Sequence, residues 1–440
     1  MIATFKARRA KLMEKCGSGA ILLLTPPEMR RNGDAHYRYR TSSHFLYLTD
    51  HTEPRCALLL LPESGQAHLF ATANTPEKAL WDGPLPSFED IAAKLGVDKV
   101  HDIAKMEETL SELTENCSTL WIELNQDKKA HELAEKLNAR RQAAIRRGAR
   151  PITELKDLSG PLSELRLIKD EEDLRRMRAS ATLAREGHLE AMRACKPGVN
   201  EREIEALVEY SFRRLGATAP AYNSIVGTGH NACILHYIRN DATLKEGDLL
   251  LVDAGAEKDG YASDVTRTYP VSGKFTEAQR KIYDIVLDSQ LKAIEACRPG
   301  TPFLEVHEIA ARRLAKGLVD LGILPGPVDE AVKSDRFKKY YPHRTSHWLG
   351  LDVHDCGLYS NPDKSSRRLE PGMVLTVEPG LYFPADDATL DSEYRGIGIR
   401  IEDDILVTAK GPEVLTTGIP KTVGEIEATV GKPAAKAARA

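Results

Sequence analysis

Cysteine is scarce in this sequence, and what there is does not pair. The seven cysteines (Cys16, Cys56, Cys117, Cys195, Cys233, Cys297 and Cys356) are odd in number and none falls in a CxxC spacing. That argues against a disulfide framework or a thiolate zinc site and fits a reducing, cytoplasmic setting. Long hydrophobic runs are missing too. The longest wholly apolar stretches, Ala20–Leu24 and Ala57–Leu61, fall far short of the roughly 20 residues that span a bilayer, so no membrane partner is expected. Nor does one sign of charge dominate: 61 Lys and Arg face 65 Asp and Glu, a formal net charge of −4, with both signs mixed. No overall field recruits nucleic acid. The arginine-rich stretch Arg140–Arg150 carries five arginines without an interleaved aromatic for base stacking, and is expected to be a solvated connection between domains. Met1–Cys16 is basic, but Glu14 interrupts it and no apolar segment with a cleavage site follows. A surface helix is expected there rather than a targeting peptide.

What is present divides into two styles. From Gly19 to about Leu124, short apolar segments (AILLL, CALLLL, HLFA, LWIEL) alternate with charged segments of helical period such as Phe88–Leu95 and Lys129–Leu137, an α/β pattern with a mostly parallel or mixed sheet. Within it lie Arg31-Asn32-Gly33-Asp34 and the turn-forming Trp81-Asp82-Gly83-Pro84, whose indole is either exposed or packed under a loop. The prolines at 151 and 161 place a boundary between about 150 and 168, giving an N-terminal domain over 1–160 and a second over 161–440. Beyond it come long helices: Asp170–Cys195, stopped by Pro197-Gly198; one capped by Asn200 with Glu203 as its partner; one capped by Thr276 and running to Cys297; and one over about Leu304–Leu321. CKPG from Cys195 and CRPG from Cys297 mark a weak internal repeat, so two similar halves are expected, sheets at the centre and helices outside. The class as a whole is α/β (α+β). The tail Lys432–Ala440 reads as flexible, with no function assigned.

The second domain is organised around Leu249–Tyr269, LLLVDAGAEKDGYASDVTRTY, which reads as a hairpin turning at Lys258-Asp259-Gly260. Asp253 follows four apolar residues, where an unpaired carboxylate would cost several kcal/mol, on the order of that for any buried ion. Asp253 and Asp264 on adjacent strands repel unless a cation lies between them; the alternative is that one caps a turn or pairs with Arg267. Other polar residues interrupt apolar, strand-like segments downstream. His343, His347 and His354 fall within Pro342–Asp355, Glu378 ends Val374–Val377, and Arg400 and Glu402 are two apart, hence on one face of a strand. Two aspartates, two glutamates and a histidine form an oxygen-rich set suited to a pair of divalent cations, Mn2+ first, with Co2+, Fe2+ or Zn2+ as substitutes.

LVDAG, YASDVTRTYP, HWLGLDVHD, VEPGLY and GIGIRIEDD, in this order, resemble the motifs of aminopeptidase P, the Xaa-Pro aminopeptidases of the pita-bread metallopeptidases, and RNGD and WDGP extend the resemblance over nearly the whole chain. The resemblance implies an N-terminal α/β domain serving substrate access and oligomerisation, then a pseudo-symmetric pita-bread catalytic domain. It implies Asp253, Asp264, His347, Glu378 and Glu402 as metal ligands, Asp264 and Glu402 bridging. It implies an exopeptidase that releases the residue before proline by attack of a hydroxide held between two ions, with Glu378 moving the proton and His236 and His354 stabilising the scissile carbonyl. His343, Tyr382 and Arg400 are implied in the substrate pocket, and Asp34, Trp81 and Arg150 as contributions of the N-terminal domain, the tryptophan reaching a neighbouring subunit of a homotetramer or homodimer. The sequence departs from the family pattern at Leu85-Pro86 and at Thr49-Asp50-His51, where Thr-Gly-Phe is usual. Two alternatives share the fold: prolidase, which cleaves only Xaa-Pro dipeptides, and a metal-free binding module, which the five filled ligand positions oppose.

Overall fold

The computed structural model describes residues 2–125 and 128–433. Residues 434–440 of the expected C-terminal tail lie outside them. The chain forms two units, Met1–Arg166 and Leu167–Ala440, dividing in the last turn of the helix Ser159–Leu167.

The apolar runs of the N-terminal unit become the strands of one six-stranded sheet, in the spatial order Lys99–Asp102, Gln66–Ala71, Ala57–Leu61, Ala20–Leu24, Thr119–Ile122, Glu154–Asp157. The sheet is mixed: Ala20–Leu24 pairs antiparallel with Ala57–Leu61 and parallel with Thr119–Ile122. Leu22, Leu59, Phe70, Leu120 and Ile122 pack under the helix Lys128–Ala143 through its Leu133 and Leu137. Two basic segments prove less solvated than expected. The first helix, Ile2–Cys16, buries Arg8 and Arg9, and Arg9 donates to the carbonyls of Leu48, Leu95 and Gly96. The expected connection Arg140–Arg150 instead begins as the last turn of a helix, where Arg141 is buried and donates to the carbonyl of Cys117. An arginine's five donors suit it to gather carbonyls that a loop leaves unpaired.

In the second unit both helix pairs appear. Glu171–Ala194 and Glu201–Arg214 form the first, capped reciprocally by Asp170 with Asp173 and by Asn200 with Glu203. Glu277–Ala296, capped by Thr276 with Gln279, and Phe303–Asp320 form the second. Each pair leads into its own three-stranded antiparallel sheet: Ile225–Thr228, Leu249–Asp253 and Thr266–Pro270 from the first half, Val374–Val377, Asp403–Thr408 and Gly411–Val414 from the second. Leu250, Val252, Val265, Ile282, Tyr283 and Ile399 share one buried cluster spanning both halves. No helix among the described residues is long and apolar enough to cross a membrane.

The hairpin carrying the aspartates is longer and more divided than its sequence reads. Asp253 pairs with Thr266 across the antiparallel ladder, but between them Ala256–Lys258 and Tyr261–Ala262 leave that sheet for another, where Ala256–Lys258 is the central strand between Tyr261–Ala262 and Ala219–Pro220. The turn is the expected one, with Asp259 at φ 50° and Gly260 at φ 85°, the left-handed pair that a two-residue hairpin loop requires. Pro342–Asp355, expected as strand-like, is an irregular connection. Its backbone is satisfied piecemeal against Val374–Val377: Thr376 donates to the His347 carbonyl, Leu349 to that of Val374, and Glu378 to that of Thr345. Released from a regular ladder, this stretch turns several side chains toward one cavity.

Candidate metal centre

The cavity holds about 980 Å³ and is lined by residues of both halves, among them Asp253, Asp264, His347, Glu378, Arg400 and Glu402. Each half contributes by strand ends. Asp253 closes an apolar strand, Asp264 lies just before Thr266–Pro270, Glu378 follows Val377, and Glu402 sits in the break between Gly398–Arg400 and Asp403–Thr408.

Four carboxylates thus meet one guanidinium and one imidazole. Asp264, His347 and Glu402 each offer a ligand atom within 4.8 Å of one another. Nε2 of His347 lies 3.3 Å from Asp264 Oδ2 and 3.6 Å from Glu378 Oε1. Its Nδ1 is 3.0 Å from the carbonyl oxygen of Trp348, which places the donor on Nδ1 and turns Nε2 toward the acids, the orientation a ligating imidazole needs. Asp253 is joined differently: Arg400 donates to its Oδ2 at 2.6 Å, and the Tyr222 hydroxyl lies 2.6 Å from both Asp253 Oδ1 and Asp264 Oδ1, its one proton shared between them. The pairing of Asp253 or Asp264 with Arg267, one of the alternatives open from the sequence, gives way to another: Arg267 pairs with Asp403.

The electrostatics express this crowding. Burial pushes Glu378 up to about 8 against the pull of His347 and Arg400. Burial, reinforced by Asp264, Glu378 and Asp253, drives Glu402 well above the carboxylate range. Asp253 is raised by burial although Arg400 opposes it. Burial alone would lower His347, but its bond to Asp264 and the charge of Glu378 outweigh it and raise the imidazole to about 9. Burial would raise Asp264 too, but the bond and charge of His347, with Tyr222 and Arg400, outweigh it, and Asp264 alone among the four acids is lowered. A buried cluster in which three of four acids and the histidine are raised is short of positive charge. Oxygen donors from four carboxylates, one imidazole nitrogen and a shortage of cations fit divalent metal ions.

Around the cluster, Arg400 donates to the Tyr382 hydroxyl at 3.0 Å, and that hydroxyl lies 2.8 Å from His343 Nε2. His343 Nδ1 is 2.7 Å from the carbonyl of Arg344, so Nε2 accepts from Tyr382. Burial and Arg400 hold this imidazole neutral, down at about 3. His354 packs edge-on against His347 with ring centres 4.3 Å apart, and His236 faces the same cavity. Asp34, Trp81 and Arg150 belong to the N-terminal unit and are exposed. Trp81 stands in the last turn of the helix Pro76–Asp82 with 81% of its surface open, so of the two readings for its indole, packing under a loop is the one that fails. At Thr49-Asp50-His51, Asp50 takes φ 57° as the C-cap of Ser43–Thr49. The position demands a left-handed residue, which glycine adopts freely and aspartate tolerates.

Tyr222, Thr266 and His307 were not legible beforehand. Thr266 donates to Glu402 Oε2 at 2.6 Å, and His307 holds Thr345 through Nδ1 at 2.8 Å. None sits in a spacing that marks it: Tyr222 and His307 line the cavity from separate elements, and Thr266 lies behind it, in contact with Glu402 and Arg400.

Residues 175–409 match the model of metallopeptidase family M24, and residues 5–121 match the aminopeptidase P N-terminal domain. The chain is 41% identical over 429 residues to the Xaa-Pro aminopeptidase of Escherichia coli (strain K12), with 96% of each covered. Among solved structures it is similar to aminopeptidase PepP of Pseudomonas aeruginosa, at a TM-score of 0.95, 40% identity and 98% of both chains. It is also similar to a glutamate-to-alanine variant of Escherichia coli aminopeptidase P in complex with substrate, at a TM-score of 0.94, 39% identity and 98% of both chains. A cation-poor nest of four carboxylates and a histidine, on a fold that agrees from end to end, leads to one assignment: the chain belongs to metallopeptidase family M24, in its aminopeptidase P branch.

Proposed function

We propose that this chain is an Xaa-Pro aminopeptidase, a hydrolase that releases the N-terminal residue from peptides with proline in second position. The observation that carries the reading is the buried excess of carboxylates around His347. Asp253, Asp264, His347, Glu378 and Glu402 would hold two divalent ions, Mn2+ in preference to Co2+, Zn2+ or Fe2+. Two such ions supply a water that is deprotonated near neutral pH and a Lewis acid for the carbonyl oxygen.

The chain's own residues do the rest. Glu378, whose Oε1 faces His347, would take up the proton that the attacking water loses and pass it to the proline nitrogen as the C–N bond breaks. His236 and His354, lining the cavity, donate to the scissile carbonyl oxygen as charge develops on it. His343, Tyr382 and Arg400 form one hydrogen-bonded row, a rigid wall against which a ring of fixed shape can rest. Proline has no N–H for the strand-like pairing on which most peptidases rely, so its ring must carry the recognition. Asp34, Trp81 and Arg150 are assigned to peptide binding, Trp81 toward the site of a neighbouring copy in a homotetramer or homodimer. An exposed indole on a helix with no buried residue supports that assignment. Seven cysteines that are all free support a cytoplasmic setting, and the N-terminal domain over 1–160 is assigned to access and assembly.

The test is turnover of a proline-second tripeptide against an Xaa-Pro dipeptide by the manganese-loaded chain. The tripeptide is expected to be cleaved and the dipeptide left; cleavage of the dipeptide alone would make the chain a prolidase.

A further inference from the structure

His236 lies in a stretch that ought to be soft. After the strand Ile225–Thr228 and one tight turn over Gly229–Cys233, the chain runs to Ala242 without regular structure, with Ile234 and Ile238 each more than half exposed. His236, Leu235 and Ile238 from this stretch line the cavity.

One side chain ties it down. Glu201, the first residue of the helix Glu201–Arg214, is 0% exposed. Its Oε1 accepts from the Thr228 amide at 2.7 Å and from Asn231 Nδ2 at 3.1 Å; its Oε2 accepts from the Tyr237 hydroxyl at 2.9 Å and the Ala242 amide at 2.8 Å. All four donors are neutral, and all come from residues 228–242. The start of a helix tolerates a carboxylate. A buried charge balanced only by dipoles is nevertheless costly to leave with any oxygen bare. The four contacts are therefore held together, and His236 sits between two of them, next to Tyr237.

We propose that Glu201 is a positioning residue for the reaction: its buried carboxylate latches residues 228–242 and so sets where His236 meets the substrate carbonyl. This rests on the reading of His236 given above. Glu201→Gln keeps the shape but turns one acceptor oxygen into an NH2 group that faces donors. Tyr237→Phe removes one donor and leaves the carboxylate in place. On the manganese-loaded full chain with a proline-second tripeptide, each is expected to lower kcat by on the order of 10- to 100-fold, the range for a catalytic group displaced by about 1 Å.

The deciding measurement repeats both substitutions in a His236→Ala background, where neither is expected to lower kcat further. Losses that multiply through that background would overturn the proposal and leave Glu201 an ordinary stabilising residue. Wild-type kcat in Glu201→Gln and Tyr237→Phe, with His236→Ala impaired, would overturn it alone. Wild-type kcat in His236→Ala would remove the role of His236 and the proposal together. If Glu201→Gln does not fold, Tyr237→Phe carries the same comparison.

Discussion

Glu402 and Asp403 are neighbours in the chain, both almost wholly buried, and they live in opposite electrostatic worlds. Asp403 accepts from Arg267 Nη2 at 2.7 Å and from Lys421 Nζ, Gln290 Nε2 and Thr416 Oγ1, each at 2.8 Å. Although burial opposes it, that ring of donors and two cations holds its carboxyl down at about 2. Glu402 has Thr266 at 2.6 Å and three other carboxylates around it, and is driven well above its ordinary range. The strand turns one residue toward a completed ion network and the next toward an incomplete one. Both clusters are buried and charged, and both join the two halves of the unit. What separates them is charge balance: Asp403 fastens the fold, whereas Glu402 waits for a cation.

That contrast can be broken most directly on the incomplete side. Asp264→Ala should cut kcat by on the order of 10³-fold or more, the loss that follows when several kcal/mol of charge stabilisation is removed. Unfolding of the variant by urea should remain cooperative. Steady-state kinetics with manganese, alongside the bound metal content, check this; full turnover would leave the acid nest without a metal role. The completed side should answer in stability instead. Arg267→Met strips Asp403 of one of its two cations and leaves the carbonyls of Glu402, Thr266 and Pro420 without that donor. Urea unfolding should show a loss of about 3–5 kcal/mol, the usual result of breaking a buried pair from one side. A loss under about 1 kcal/mol would mean that Lys421 alone balances Asp403, and the two clusters would differ less than their geometry implies.

A smaller effect sharpens the comparison from behind the completed cluster. His188, wholly buried, donates from Nε2 to the Ala254 carbonyl at 3.0 Å, and burial holds its imidazole down at about 4. An unfolded chain protonates the same group near pH 6.5. Between those values the unfolded state binds the extra proton, so stability from this residue is complete above pH 6.5 and is lost progressively as the pH falls toward 4. Moving from pH 7 to pH 5 should cost the wild type about 2 kcal/mol more than it costs His188→Gln. Equal losses in urea titrations at the two pH values would show that His188 is already charged in the fold.

Much of this was readable in one dimension because the signals were local. Capping pairs such as Asn200 with Glu203 act within one helical turn, and their partners are fixed by spacing. Asp253, Glu378 and Arg400 each end an apolar strand, where a charge is conspicuous. Arg267 shows the limit. It could be seen as a brace on the aspartate strand, but its partner is 136 residues away in the second half, and nothing in the intervening chain points to it. Tyr222 and Glu201 were silent for the same reason: an aromatic two residues after a proline and an acid at a helix start are ordinary locally, and their roles lie in contacts with residues 27 or more positions distant in the fold's first half.

The sequence by itself determined the class, the helices with their caps, the two-part division and the kinds of donor that a pair of cations would need, because periodicity, capping and burial of apolar runs act over a few residues. Only the tertiary structure decided which acids are compensated and which are not. Whether Glu402 meets three carboxylates while Asp403 meets Arg267 and Lys421 depends on strands from two halves closing on one another. Coulombic energy follows distance in space rather than position along the chain.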